Sequence, residues 1–351
     1  MVSASTGNRT IAHSELLEFA RALLQAGGFS EGQATQTAEV LLWANLRGVD
    51  SHGVLRIPRY VEMVQLGLIN PAGMPREEFS RGAISIVSAE RAPGAVAMNF
   101  AAERALQLAN DHGLGWCSVK GISHAGAIGY YAERVAKAGH VAIVMTASKP
   151  LMVYYGSSVE GVSTNPLAVA APTLDPGRPL LLDMSTASVA LGKIMAAKDA
   201  GRPIPLGWGV DRNGSDTTDP AQVTAVLPMA GPKGSGLSLM IEVLTSILAG
   251  NPLIAAALSG GGDTGANGLV VVLDPSAFAS TSFISDVGEL CHAIKALPIA
   301  AGVDKVRLPG ERGFDEMKRR GHAGIPVSAG TLSKLLALAS KLGVSAPTGL
   351  H

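Results

Sequence analysis

The sequence predicts an α/β fold with helical ends, and three observations predict it. Short apolar runs of strand length recur through the middle of the chain, at residues 83–88, 116–119, 141–146, 167–171, 180–184 and 268–273. Helical patterns fall between some of them, at 125–138, 187–200 and 236–248. The first third of the chain and its last 40 residues carry helical periodicity.

Taken in order, the first helix covers about 14–25 and stops at Gly27-Gly28. Ser30 with Gln33 makes a capping-box signature ahead of an apolar run to Leu46. The next helical piece begins near Asp50 or Ser51 and stops at Gly67, and a further helix over 95–110 leads into Gly113. The final amphipathic segment is 331–341. There is no internal repeat and no low-complexity linker.

The helix from Asp50 carries His52, Arg56 and Tyr60 at steps of four, so all three share one face. An imidazole, a fixed cation and a phenol then project into one space. Pro58 lies past the first turn and would kink or interrupt the helix. If the chain breaks there, Tyr60 leaves the shared face while His52 and Arg56 stay together.

Composition narrows the class. The length of 351 residues suits one large domain or two to three smaller ones, and 47% hydrophobic content can fill a sizeable core. Lys+Arg 28 balances Asp+Glu 28, so nothing points to nucleic acid or an anionic membrane surface. Cys117 and Cys291 are far apart, which fits a reducing compartment rather than a disulfide scaffold. The polar start, Met1 to Asn8, has no apolar core of a secretory signal. The most apolar helical stretch, near 237–248, contains Glu242 and is too short to span a bilayer. A soluble cytoplasmic protein is the expectation.

Common nucleotide and metal signatures do not fit. Gly260 to Gly265 matches G-x-G-x-x-G as a string, but it follows a helix-like run and precedes a strand. The dinucleotide fingerprint needs the reverse order. None of the eight histidines forms a zinc-type spacing, so no metal is expected.

Several turns invite a ligand. Ser123-His124-Ala125-Gly126 sits between a strand and a helix, where open α/β folds aim side chains into a cleft. Capping is the alternative for His124, as a surface position is for His52. Thr164-Asn165-Pro166 offers donors ahead of a strand. Leu182-Asp183-Met184-Ser185-Thr186 ends a strand, and Ser185 or Thr186 could cap the helix that follows, whose N-terminus suits an anion. Pro232-Lys233-Gly234-Ser235-Gly236 places a cation and free backbone N–H groups before a long helix.

Together these strings resemble the malate/L-lactate dehydrogenase family of the second type, unrelated to the Rossmann lactate and malate dehydrogenases. The resemblance begins at Arg47-Gly48-Val49-Asp50-Ser51-His52-Gly53 with Arg56 and Tyr60. It continues through Ser123-His124, Gly129-Tyr130-Tyr131-Ala132, Gly192-Lys193 and Lys233-Gly234-Ser235 to Pro309-Gly310-Glu311, over nearly the whole chain.

The resemblance implies a homodimer with a non-Rossmann dinucleotide-binding α/β domain at 76–310. A helical domain would be built from segments 1–75 and 311–351. It implies NAD or NADP as cofactor and a small carboxylate substrate, a 2-oxo or 2-hydroxy acid. Cyclic imino acids such as Δ1-piperideine-2-carboxylate are the alternative substrates. By resemblance His52 is the preferred proton donor, with His124 also open, while Arg56 clamps the carboxylate beside Ser51 and Tyr60. Ser148, Thr164, Asn165, Pro166, Leu182, Asp183, Met184, Ser185, Lys233, Gly234, Pro309, Gly310 and Glu311 would line the cofactor.

The chain departs from that pattern in two places. Ala125 stands where many relatives carry phenylalanine, and the run from Ala147 to Gly156 stands where the family often has an asparagine followed by a proline-rich and Gly-Gly segment. Both bear on which substrate is taken.

Overall fold

A computed structural model describes residues 9–199, 201–261, 265–278 and 281–347. The residues behind the reading of the amino terminus, Gly262-Asp263-Thr264 of the glycine string, and Ala200 lie outside them.

Strand β1 (Arg9–Ile11) leads into helices α1 (His13–Ala26) and α2 (Glu31–Leu46). Two 3-10 turns, Asp50–His52 and Val54–Arg56, precede α3 (Ile57–Gln65). Then come β2 (Arg76–Arg81), β3 (Ile84–Ser88), α4 (Gly94–His112), β4 (Leu114–Ile122), α5 (Gly129–Lys137) and β5 (Val141–Ala147). Short strands β6 (Met152–Val153) and β7 (Glu160–Val162) precede β8 (Leu167–Ala171) and β9 (Leu180–Met184). Next are α6 (Leu191–Asp199), β10 (Gly209–Val210), β11 (Ala225–Val226) and α7 (Pro232–Glu242), which a π-helical turn, Val243–Ile247, extends. The chain continues through α8 (Ile254–Leu258), β12 (Ala266–Leu273), α9 (Phe283–Lys295), α10 (Glu311–Ala323), β13 (Ile325–Val327) and α11 (Ala329–Leu342).

The main sheet has seven strands in the order β2-β3-β4-β12-β5-β8-β9. Only the β3–β4 pair is parallel. A doubly wound Rossmann sheet is parallel throughout its cofactor half, so this is a different α/β architecture. Strand β12 arrives late in the chain and inserts between β4 and β5. Its interior residues are buried on both sides, so Val270 and Val272 join the core under α4, while Leu269 and Val271 face the opposite layer.

A second core unites the two ends of the chain. Phe19, Leu23, Leu41 and Ile57 pack with Ile325, Leu332 and Leu335. Above it, β1 and β13 pair antiparallel, Ile11 opposite Ile325. Among the described residues no helix is long and apolar enough to cross a membrane.

Four expectations are corrected. The helix expected from Asp50 to Gly67 is two 3-10 turns followed by a shorter helix. Gly53 is extended and breaks it, and Asn45 Oδ1 takes the Val54 N–H at 2.8 Å in place of a helical carbonyl. Pro58 then falls in the first turn of α3, where no N–H is needed. The helix expected over 187–200 begins only at Leu191, so Ser185 and Thr186 do not cap it. A chain segment bridging Ala187 to Pro228 comes between. The helix expected from Ala125 begins at Gly129, leaving His124 in a loop rather than at a cap. The helical last 40 residues are interrupted by β13, because Gly324 adopts a left-handed φ of 89° and ends α10.

Candidate active site

One edge of the main sheet gathers the predicted residues. Strand β4 ends at Ile122 opposite the start of β12, and β5 ends at Ala147 opposite Asn267. Strand β8 starts at Leu167, paired with both Met145 and Met184. Ser123-His124, Ser148, Pro166 and Ser185 therefore enter or leave the sheet at the same edge.

The His52 turn is brought to that edge from the helical end. Asp50 fixes it: its carboxylate accepts from Asn45 Nδ2 at 2.6 Å and from both terminal nitrogens of Arg320, at 2.7 and 3.1 Å. Arg320 comes from α10, so residues at opposite ends of the chain clamp one turn. Arg56 Nε donates to Ser51 O at 2.8 Å, and Ser51 Oγ lies 2.9 Å from His52 Nδ1.

The two histidines then meet. The His52 and His124 rings stack at 5.6 Å between centroids, with 25° between their planes. Tyr60 Oη is 2.6 Å from His124 Nδ1. The interrupted helix does not separate Tyr60 from the site, because α3 delivers it to His124 instead. Gly126 N–H donates to the same Nδ1 at 3.2 Å. That nitrogen therefore carries no proton, so the phenol must donate to it and the neutral ring holds its proton on Nε2.

Burial and charge hold these groups in one state. Burial first, then the Arg56 cation, push His52 down to about 4. The same causes, with His52 added, hold His124 well below the ordinary imidazole range. Burial raises Tyr60, against the pull of Arg56. Both imidazoles are neutral at neutral pH, beside a fixed cation.

The strand end at Asp183 is tied to the start of α5 through Gly129. Gly129 N–H donates to Asp183 Oδ2 at 3.1 Å, and a Cβ on Gly129 would stand 2.5 Å from that oxygen. Asp183 is open to solvent yet encircled by protein. The surrounding protein pushes its carboxyl up to about 6, against the Gly129 hydrogen bond and the Arg47 charge. Leu182 is 40% exposed beside it. The Pro309-Gly310-Glu311 turn docks on the same strand: Leu181 N–H donates to Pro309 O at 3.2 Å. Arg47 reaches both Gly310 O, at 3.2 Å, and Glu133, at 3.1 Å. Glu311 is occupied by Lys295 and by the Leu308 N–H.

Other predicted cofactor residues form a second group. Asn165 is buried, taking the Ser148 N–H at 3.2 Å and donating to Ser238 O at 3.0 Å, while Ser148 Oγ pairs with Ser163 Oγ at 2.7 Å. Thr186 N–H donates to Thr164 O, which ties this group to the end of β9. Lys233 does not precede α7 but lies in its first turn. The N–H groups of Lys233, Gly234 and Ser235 already bond to Ala230, Met229 and Gly231 carbonyls. The free N–H groups expected there are therefore engaged, and the exposed Lys233 ammonium is what remains for an anion.

The sequence gives no sign of Asn45 or Arg320, and it offers Gly129 and Gly192 only as parts of resembling strings, with no role. The capacity of Gly129 to approach Asp183 has a local signal in the absence of a side chain. The tie from Arg320 to Asp50 spans 270 positions and has none.

Two neutral imidazoles next to a fixed cation equip a site to move one proton at a carboxylate-bearing substrate, the protein's share of a hydride transfer. The class is a nicotinamide-dependent oxidoreductase. The chain belongs to the malate/L-lactate dehydrogenase family, whose model matches residues 11–336. Ureidoglycolate dehydrogenase (NAD(+)) from Escherichia coli O157:H7 is 37% identical over 294 residues, 82% of this chain and 84% of that one. The solved malate dehydrogenase of Pyrococcus horikoshii OT3 superposes with a TM-score of 0.88 at 29% identity, covering 99% of both chains. The solved Δ1-piperideine-2-carboxylate reductase of Pseudomonas syringae pvar. tomato gives 0.83 at 30% identity, covering 94% of this chain and 100% of that one. Members of the family are NAD(+)- or NADP(+)-dependent dehydrogenases of small hydroxy and oxo acids.

Proposed function

We propose that this enzyme interconverts a small 2-oxo acid and its 2-hydroxy acid, with His52 giving the proton in reduction and Arg56 holding the carboxylate. The observation that carries the reading is the convergence of His52, His124 and Arg56 from separate elements.

Arg56 presents a guanidinium suited to a planar carboxylate. A carboxylate bound there offsets the cation that depresses both histidines, so the imidazole pKa rises toward the working pH when substrate arrives. His52 is the donor because its Nδ1 meets only the Ser51 hydroxyl, which can turn. His124 Nδ1 takes two donors, and protonating it would expel the Gly126 N–H. His124 therefore keeps its Nε2 proton and serves as a hydrogen-bond donor to the substrate oxygen.

The strand end fits a flat carboxamide-bearing ring. Leu182 and Met184 offer apolar surface beside the accessible Asp183 carboxyl, and the missing side chain at Gly129 keeps the approach open. Leu182, Asp183, Met184 and Ser185 would hold the ring end. Ser148, Thr164, Asn165 and Pro166 would shape the wall, the exposed Lys233 ammonium next to Gly234 would take the phosphates, and Pro309, Gly310 and Glu311 would line the far side. Bound, the reduced nicotinamide supplies the hydride.

The assembly belongs to the same reading. Helix α9 buries none of its residues and exposes Ile284, Leu290 and Ile294, an apolar face suited to a second copy in a homodimer. Of the expected domains 1–75 and 311–351, the described parts share one core, which supports reading them as one helical domain beside a cofactor domain at 76–310. The unpaired Cys117 and Cys291 agree with the cytoplasm.

A second reading, reduction of a cyclic imino acid, is favoured by the likeness to the piperideine carboxylate reductase. Both are tested by absorbance at the reduced-nicotinamide band. Protein is mixed with NADH or NADPH, then with pyruvate, oxaloacetate and Δ1-piperideine-2-carboxylate. Oxidation with the 2-oxo acids supports the first reading, and oxidation with the imine alone supports the second. Failure of both NADH and NADPH to bind would defeat both readings.

A further inference from the structure

A small cavity of about 10 Å³ lies against the Tyr60–His124 pair. Its wall includes Thr37, Tyr60, Ser123 and His124 among apolar groups such as Val40 and Leu41. That is room for about one water, which needs two or more polar partners to settle there.

Thr37 is the unexplained member of the wall. It is 3% exposed, and its Oγ1 has no hydrogen-bond partner among the described residues. A helical threonine ordinarily turns its hydroxyl onto its own helix. Two residues earlier, Thr35 does so, donating to Glu31 O at 2.9 Å. Thr37 does not, and a buried hydroxyl left unpaired is a destabilised group.

The other polar wall atoms have capacity to spare. Tyr60 spends its proton on His124 Nδ1, because Gly126 N–H already marks that nitrogen as an acceptor. Its oxygen lone pairs remain open. Ser123 Oγ accepts the Gly94 N–H at 2.8 Å and keeps its own proton to give.

We propose that one ordered water fills this cavity and joins Thr37 Oγ1 to Tyr60 Oη, making Thr37 a positioning residue for the phenol that holds His124. A hydrogen bond received by the phenol oxygen sharpens its own donation to Nδ1. Thr37 touches neither substrate nor cofactor and acts through the water and Tyr60. The inference rests on the reading of His124 as a group at the substrate.

The test joins kinetics to a high-resolution crystal structure of the intact enzyme. Thr37→Val keeps the volume and removes the hydroxyl, and Thr37→Ser restores it. The expected result is a water within hydrogen-bond distance of Thr37 Oγ1 and Tyr60 Oη. Thr37→Val then lowers kcat about tenfold with KM within about twofold, and Thr37→Ser returns near the parent rate. In a Tyr60→Phe background Thr37→Val adds little, since the phenol it serves is gone. A dry cavity, an unchanged kcat in Thr37→Val, equal damage from valine and serine, or full additivity with Tyr60→Phe each overturns the proposal. If the valine variant does not fold, Thr37→Cys, a weak donor of similar size, replaces it under the same criteria. His124→Ala separates the two levels. If that variant keeps parental activity, the reading of the site falls. If it loses activity while Thr37→Val does not, only the water link falls.

Discussion

Gly192 lies so close to Ser51 that a Cβ there would stand 2.7 Å from the Ser51 Cβ. The first turn of α6 thus abuts the turn that carries His52. Ser51 in turn holds Arg56 through its carbonyl and His52 through its hydroxyl.

Gly192→Ala should therefore act as an active-site mutation made from outside. Its methyl meets a Cβ fixed to the backbone, so the 51–56 turn must move. We expect kcat/KM to fall about tenfold or more, because small misplacements of acid and clamp are costly. The melting temperature should change little. Parental kinetics in this variant would show that the turn yields without consequence.

Arg56→Gln should separate binding from ionisation. Loss of a charge-assisted contact of roughly 1.5–3 kcal/mol raises KM about 10- to 100-fold for a 2-oxo acid. The same change removes one of the two causes that depress His52, leaving burial. The His52 titration seen by NMR should then move up from about 4. An unmoved titration would place the guanidinium elsewhere.

Stability should decline in mild acid for a defined reason. His52 titrates near about 4 in the fold, below its ordinary value in an unfolded chain of about 6.5. Between those values the unfolded chain binds more protons than the native one. Stability is then fully present above about 6.5 and is lost as pH falls toward 4. His124, depressed by the same causes, acts in the same direction. Melting temperatures at pH 7, 5.5 and 4 should fall steadily for the parent and less steeply for His52→Gln.

Glu133→Gln should cost stability without touching substrate. Glu133 takes the Arg47 guanidinium and the Trp43 indole N–H, both at 3.1 Å, in a buried setting. Removing its charge leaves a buried Arg47 with Gly310 O, the Trp43 and Phe314 rings and the Asp183 charge, but without its ion-pair partner. Denaturant unfolding should show a loss of about 3 kcal/mol. KM measured below the new melting point should stay within about twofold of the parent.

His52→Ala should distinguish the two substrate readings. An iminium already bears positive charge and needs less proton donation than a ketone. Ketone reduction should therefore fall much further than imine reduction. Equal losses would remove that distinction between the mechanisms.

Much of the α/β layout was legible because the strands that form the sheet are apolar runs. The strands 167–171 and 180–184 match their predicted limits, and the Ser30 capping box forms as its residues imply. What escaped notice lacked that signal. Strand β2, Arg-Glu-Glu-Phe-Ser-Arg, is exposed along its length and owes its place to pairing with β3. Helix α9 has no buried face, and β13 is three residues with a central proline, paired at its edge to β1. The site residues were legible as types at turns, but not as neighbours. Tyr60 and His124 meet across 64 positions, and only the tertiary fold turns a four-residue spacing into a shared space. Burial, which sets the ionisation of both histidines, is a property of that fold and not of any local string.

The clasp between Asp50 and Arg320 sets an order of events during synthesis. A ribosome moving from the amino end makes His52, Arg56 and His124 early, yet the arginine that fixes the His52 turn emerges 270 residues after its partner. The strand that pairs with the chain's first described residues follows only at Ile325. A nascent chain that already holds His52, Arg56 and His124 would still present the His52 turn unclamped until α10 supplies Arg320.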